Sequence, residues 1–548
     1  RAPQYNMDGT VVQVAKPTLT EKAYFGSAYN FELSAAYVHT FAEKHTIDAK
    51  AVFTAAENEG FNFEAYRKDY LSTTVDQLFA GSSIGMTNTG NAEEGGRLGF
   101  VGRLKYDYAN RYYIEGSFRY DGSDNFAPGH RWGFFPSVAA AWDITEEPFF
   151  KNLNLKNINL LKLRASYGTT GTETNVNRFG YLSTYNMVEN AVCIGGNLIS
   201  GFNEGALVSP DLLSWYTRRS LNIGIDGSFL DNKLKGSADY FFYVTKGGLT
   251  SPADRYITPL GTKLPEIKSD NEHRREGFEL SLRWSDKIGS DIDYEIGANM
   301  ISYRNLWVTN RGEGLSQLKN PYQRNTHQSD YLGLYLLDNG LYQSIEQVLG
   351  VPRRPESTET KLGDIVYQDI NGDGKINSED KVRYGMPIDP HFTYGVDFLF
   401  AYKGFTLSGL FYGTGKRHMM FGVNARKAES QYVKNKFQLD YWREDNRNAT
   451  FPRISMVAGV NGENNRIEST FYLRNAAFLR LKNLSLTYDF KHKLLKSAKW
   501  LSTCQVSLTG SNLFTISGVS DYWDPETTNT NGGYPTSRIY SLGVTLGF

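Results

Sequence analysis

Arg97-Leu-Gly-Phe-Val-Gly-Arg-Leu-Lys-Tyr-Asp-Tyr108, followed across Ala109-Asn110-Arg111 by Tyr112-Tyr-Ile-Glu-Gly-Ser-Phe-Arg-Tyr-Asp121, is the stretch on which the fold turns. Successive residues of a strand point to opposite faces. One face therefore carries Leu98, Phe100, Gly102, Leu104, Tyr106 and Tyr108, and the other Arg97, Gly99, Val101, Arg103, Lys105 and Asp107. The second arm repeats the division, with Tyr112, Ile114, Gly116, Phe118 and Tyr120 against Tyr113, Glu115, Ser117, Arg119 and Asp121. Such alternation over a short turn predicts a long antiparallel hairpin with one apolar and one wet face.

Working outward, the same hairpin recurs. Leu221 to Phe229 turns at Asp231-Asn232 into Leu234 to Val244, with Lys235 and Asp239 on the hydrophilic face. Further alternating runs are Phe278 to Trp284, Tyr294 to Ile301, Tyr394 to Tyr402, Phe405 to Tyr412 and Leu484 to Phe490. Together they suggest roughly 14 to 16 strands, each about 9 to 12 residues long, which exceeds the usual strand of a soluble sheet. Tight turns such as Lys403-Gly404 alternate with long connections at Thr170 to Leu212, Leu306 to Gly363 and Gly415 to Thr470. Short turns at one end and long loops at the other are the layout of an outer-membrane barrel, with the short side periplasmic. A soluble sandwich can also alternate, but Gly, Ser, Asn, Asp and Arg on the second face would make a poor dry core. The last strand, Tyr540, Leu542, Val544, Leu546 and Phe548 on one face, ends on an aromatic residue like the assembly signal of such barrels. The expected fold class is all-β, a transmembrane antiparallel β-barrel with long extracellular loops.

Composition agrees. Hydrophobic residues make up 40% of the 548 and no apolar run approaches a helical span. Aromatics reach 14%, with 36 Tyr, 33 Phe and 53 Gly but only 17 Pro, a mix suited to strands, turns and aromatic girdles. Lys+Arg and Asp+Glu balance at 59 each, so no charge excess favours nucleic acid. Cys193 and Cys504 are expected to stay unpaired. The eight His show no zinc-protease spacing, and no phosphate-binding Gly-Lys loop or CxxC pair is present. An acid pair drawn from Asp521, Asp524 and Glu526 could be imagined for a glycosidase, but sequence proximity does not place two carboxyls across a sugar ring. No enzymatic activity is expected.

One local motif carries chemistry. In Asp369-Ile-Asn371-Gly-Asp373-Gly374-Lys375-Ile-Asn-Ser-Glu379-Asp380, oxygen donors occupy loop positions 1, 3 and 5, with Gly374 at the sharp turn. The Lys375 carbonyl follows, and a carboxylate closes the loop at position 12. This is the EF-hand order of hard donors, with Asp380 where Glu is usual. The expected ligands of a Ca2+ ion are Asp369, Asn371, Asp373, Lys375 and Asp380, with Mg2+ as the second candidate. The alternative is a solvated Asx-rich turn. The motif sits in an insertion spanning 363–385.

Several segments together resemble the SusC/RagA family of TonB-dependent transporters. They are Arg119-Tyr-Asp-Gly-Ser-Asp-Asn-Phe126 with Trp132-Gly-Phe-Phe-Pro-Ser-Val138, Leu163-Arg-Ala-Ser-Tyr-Gly168 and Ser209-Pro-Asp-Leu212 leading to Leu221-Asn-Ile-Gly-Ile-Asp226. Gly363-Asp-Ile with the Asp369 loop and Leu473-Arg-Asn-Ala-Ala-Phe-Leu-Arg-Leu-Lys-Asn483 complete the set. The resemblance implies a barrel of roughly 22 strands enclosing a plug, placed in the bacterial outer membrane. It further implies energy from the TonB complex, a SusD-like lipoprotein over the mouth, and oligosaccharides or peptides as cargo. No stretch reads as a plug or TonB box, so residues 1–548 are expected to supply the C-terminal portion of the barrel, an incomplete one by themselves. The competing expectation is a soluble, secreted Ca2+-binding lectin, adhesin or glycosidase.

Overall fold

The computed structural model describes residues 17–72, 74–174, 176, 178–204, 213–250, 267–357, 359–427, 435–455, 460–519, 522–527 and 536–548. Its framework is a single 16-stranded sheet. Fifteen strands follow one another in chain order: β1 (Leu19–Phe41), β2 (His45–Lys68), β3 (Ser82–Tyr108), β4 (Tyr112–Ser123), β5 (Trp132–Asp143), β6 (Ile158–Thr172), β7 (Tyr216–Phe229) and β8 (Leu234–Lys246). They continue through β9 (Glu272–Ile288), β10 (Ile292–Thr309), β11 (Phe392–Tyr402), β12 (Phe405–Thr414), β13 (Phe478–Asp489), β14 (Thr503–Ser517) and β15 (Ile539–Gly547). Every neighbouring pair is antiparallel, and Gln328–Ser329 pairs off the side of β10. Among the described residues β1 and β15 each have one neighbour, so the sheet is an open wall.

Register keeps one apolar face unbroken across this wall. Phe53 faces Phe100, Phe100 faces Tyr120, and Tyr120 faces Phe134 in successive ladders. Farther on, Ile223 meets Tyr240, Tyr240 meets Phe278, and Leu508 meets Leu542. These side chains are exposed, not sandwiched: Leu98 44%, Phe100 45%, Leu104 55%, Phe134 59% and Leu542 74%. Arg103 and Lys105 lie on the opposite face, Arg103 bonded to Asp48 at 2.6 Å. The expected hairpin thus has the expected sidedness. Aromatic residues end the apolar band, with Tyr120 stacked on Trp132 at 4.7 Å on one side and Tyr108 on Tyr112 at 6.4 Å on the other.

Two expectations are corrected in detail. The strands are longer than 9 to 12 residues: β1, β2 and β3 have 23, 24 and 27. About 9 to 11 residues cross a bilayer, so these three project far beyond it on the long-loop side. Outward positions turn acidic at Glu57, Glu59 and Glu94, with Glu59 opposite Glu94, and beyond this break Phe61 and Phe63 again face outward. Second, the connection expected at Leu306 begins only after Thr309 and runs to Phe392. The tight ends are built as read: Lys403 (φ 47°) and Gly404 (φ 88°) form a two-residue turn with both angles positive, the mirror-image type that matches strand twist.

The only large dry core among the described residues lies outside the wall. Connections β10–β11 and β12–β13 fold together, burying Leu336, Ile365, Tyr367, Ile376, Phe421, Phe451 and Tyr472. Tyr522 and Trp523, from the β14–β15 connection, pack against the cluster. Short pairings knit this loop body: Gly333–Tyr335 with Val382–Tyr384, Asp338–Leu341 with Ile365–Tyr367, and His418–Met420 with Leu473–Asn475. Both cysteines are free, Cys193 exposed and Cys504 partly so.

Candidate functional site

The inward face of the wall is a graded field of charge. On β6, Arg164 holds Asp226 of β7 at 2.9 Å and Asp239 of β8 at 2.6 Å, both carboxylates gripped through two nitrogens. Lys162 and Lys105 lie over the Tyr113 ring at 4.1 and 5.5 Å. Arg283 of β9 bonds Glu295 and reaches Asp397 at 3.1 Å. A hollow of about 290 Å3 opens among Lys105, Tyr113, Glu115, Lys162, Arg164 and Asp226, and another of about 480 Å3 among Asp226, Asn232, Lys235, Ser281 and Arg283. Strand geometry explains the arrangement: charges two residues apart along a strand, and opposite in register, meet on one face. Such a face suits a water-filled passage for polar solutes and would be costly inside a dry core.

The acidic loop folds into a closed turn within the loop body, its Ile376 part of that core. Asp369 accepts the N–H of Gly372 at 2.7 Å and that of Gly374 at 2.8 Å. Asn371 accepts from Asp373 at 3.0 Å, and Asp373 from Lys375 at 2.8 Å. Gly372 and Gly374 have φ of 76° and 80°, the left-handed region that only glycine enters without strain. Asp380 is fully buried and gives both oxygens to the loop's own backbone, taking the N–H groups of Ile370 at 2.9 Å, Asn371 at 3.3 Å and Asn377 at 2.8 Å. Asp369, Asn371, Asp373 and Lys375 remain at the surface. Among the described residues no three His, Cys, Asp or Glu side chains gather as a metal cluster. The donor chemistry of Asp369 and Asp373 fits a hard cation, because each of their carboxylate oxygens accepts at most one N–H and keeps a lone pair.

Two ion clusters were not legible in the sequence. Asp364, fully buried, receives Arg453 at 2.6 Å, Asn461 at 2.6 Å, Asn465 at 2.8 Å and the Lys361 N–H at 2.9 Å. At the rim of the wall Arg480, 1% exposed, clasps Glu526 at 2.5 Å and Asp524 at 2.6 Å. Burial alone would raise the Asp524 carboxyl, but the Glu526 N–H and Arg480 overcome it and hold it below the usual carboxylate range. Asp524 and Glu526 thus serve an arginine; Asp521 and the Ser209-Pro-Asp-Leu212 segment lie outside the described residues. Gly81-Ser82-Ser83-Ile84-Gly85 fits the spacing of a hydrolase nucleophile elbow, yet Ser83 lies in the first residues of β3 and not on a strand-to-helix turn.

The family described as TonB dependent receptor-like, beta-barrel, matches residues 2–513. TonB-dependent receptor P3 of Formosa agariphila is 26% identical over 535 residues, covering 90% of this chain and 50% of the relative. TonB-dependent receptor SusC of Bacteroides thetaiotaomicron is 26% identical over 475 residues, covering 82% and 44%. The RagAB peptide importer in its "open-open" state superposes with a TM-score of 0.78 at 22% identity, covering 96% of this chain and 55% of that one, a likeness of fold. The chain spans about half the length of the curated relatives it matches. Its wall, apolar outward and charged inward, is part of the barrel of an outer-membrane protein, and the chain belongs to the TonB-dependent receptor-like β-barrel family.

Proposed function

We propose that this chain forms barrel wall and extracellular rim of a receptor that imports oligosaccharides or peptides across the outer membrane. Energy comes from the TonB complex, and a SusD-like surface lipoprotein acts at the mouth. The carrying observation is the polar inward face, continuous from the Arg164–Asp226–Asp239 set to Arg283 and Asp397, behind an apolar face exposed to lipid. The chain's part is passage and recognition; it performs no catalysis. The test is uptake: cells lacking the receptor, with and without its restored copy, are given fluorescent oligosaccharides and fluorescent peptides. Accumulation should need the receptor and vanish when an uncoupler collapses the proton-motive force. Receptor-independent accumulation, or release of hydrolysed product by the purified receptor, contradicts the reading.

The acidic loop in this reading takes a Ca2+ ion through Asp369, Asn371, Asp373 and the Lys375 carbonyl, with Asp380 bracing or joining the set. The ion stiffens the loop, since two carboxylates so close in sequence repel one another when bare. Calorimetry on the purified receptor should show Ca2+ binding that Asp369→Ala with Asp373→Ala abolishes, and Mg2+ binding more weakly. Equal binding by both proteins removes the site.

A further inference from the structure

The rim of the inward face contains a buried arginine that no carboxylate pairs with among the described residues. On β12, Tyr412 stands opposite Arg480 in the ladder and Thr414 opposite Phe478, which puts both on the inward side. Beyond β12 the chain stays beside its partner: the Arg417 carbonyl accepts the Ala476 N–H at 2.8 Å, and His418–Met420 pairs with Leu473–Asn475. Arg417 is therefore fixed beside Ala476, and it keeps only 6% of its surface exposed.

The two arginines differ in one respect. Arg480 is neutralised by Asp524 and Glu526, and Lys482 adds to Glu526 at 3.3 Å. The Arg417 side chain has no hydrogen bond or ion pair among the described residues, and its Nε is enclosed without an acceptor. Thr414, three residues earlier, has an enclosed hydroxyl in the same condition. Burial pushes the Arg417 guanidinium below its ordinary value, only partly offset by Tyr412, Asp389 and Glu526. A buried guanidinium left unpaired is costly, and an anion arriving there would return that cost.

We propose that Arg417 anchors an anion subsite at the extracellular rim, which takes a carboxylate of the incoming solute. The planar fork of a guanidinium matches the two oxygens of a carboxylate. Peptide C-termini and acidic sugars both supply that group. The identity of the solute rests on the import reading; the binding itself does not.

The test is calorimetry on the full receptor purified in detergent, with two matched probe pairs: tetra-alanine against its C-terminal amide, and trigalacturonate against trigalactose. In the wild type the acid of one pair should bind at least tenfold more tightly than its neutral mate, and that pair identifies the source. Arg417→Gln should erase the preference and leave the neutral probe unchanged. Should Arg417→Gln not fold, Arg417→Lys decides, since it keeps the charge and loses the fork: its acid preference should fall at least threefold. No acid preference in the wild type for either pair, or an undiminished preference in the folded variant, overturns the subsite. Uptake is not measured, so failure of transport would leave this result standing.

Discussion

The wall and the loop body are built from similar residues placed in opposite senses. In the wall Phe134 is 59% exposed and Leu542 74%, whereas in the loop body Phe451 is 1% exposed and Tyr472 fully buried. Arginines reverse likewise: Arg164 lines the inward face of the wall, while Arg453 enters the loop body only because Asp364 receives it. The difference teaches that each region answers to its own solvent. Lipid accepts apolar side chains that water would reject, so the wall needs no dry interior. The loop body stands in water and must build a core of its own.

Breaking the loop body should give the largest effect. Asp364→Ala leaves the half-buried Arg453 and the buried Asn461 amide without their partner, at a cost of about 3 to 5 kcal/mol. Limited proteolysis should then cut within 333–476 while the heat-modifiable gel shift of the barrel persists. Loss of both together would show that the two regions are not separately stabilised.

Adjacent positions on β5 sharpen the contrast within the wall. Val138 faces outward midway between Trp132 and Trp142, and Ser137 faces inward, bonded to Ser117 at 2.6 Å. Val138→Arg should cost about 2 to 4 kcal/mol of folding stability in vesicles. Ser137→Arg should stay within about 0.5 kcal/mol of the wild type. Equal costs would contradict the sidedness.

A pH effect should be confined to the rim. Because Asp524 is held below the usual carboxylate range, its contribution is present above the unfolded value of about 4 and is lost as pH falls through the lower folded value. Fluorescence of Trp523 beside it should therefore change at acid pH before the barrel unfolds. Arg480→Met should move that change to higher pH; an unmoved transition would detach it from this ion pair. A small effect belongs to Gly374→Ala, at φ 80°, which should cost about 1 kcal/mol and weaken Ca2+ binding.

The sequence exposed the wall wherever one face was strongly apolar, as in Leu98, Phe100, Leu104 and Tyr106. It hid β1 and β2, where Ala35, Ala36, Ala49, Ala51, Ala55 and Ala56 occupy both faces and dilute the alternation. The strands exceed the expected length because alternation does not stop at the membrane edge: the outward acids Glu57, Glu59 and Glu94 interrupt the apolar face, which resumes at Phe61 and Phe63. The acidic loop was legible because its donors are consecutive. Arg480 with Asp524 and Asp364 with Arg453 were not, being 44 and 89 residues apart and joined only by the folding of separate connections.

The central claim is that the alternating wall has lipid on one side and water on the other. Spin labels at Val138 and Ser137 of the full receptor in nanodiscs test it, with oxygen as the lipid-soluble relaxant and a nickel chelate as the aqueous one. The account predicts that oxygen dominates at Val138 and the nickel chelate at Ser137. Nickel access at both positions, or the reverse order, would contradict it.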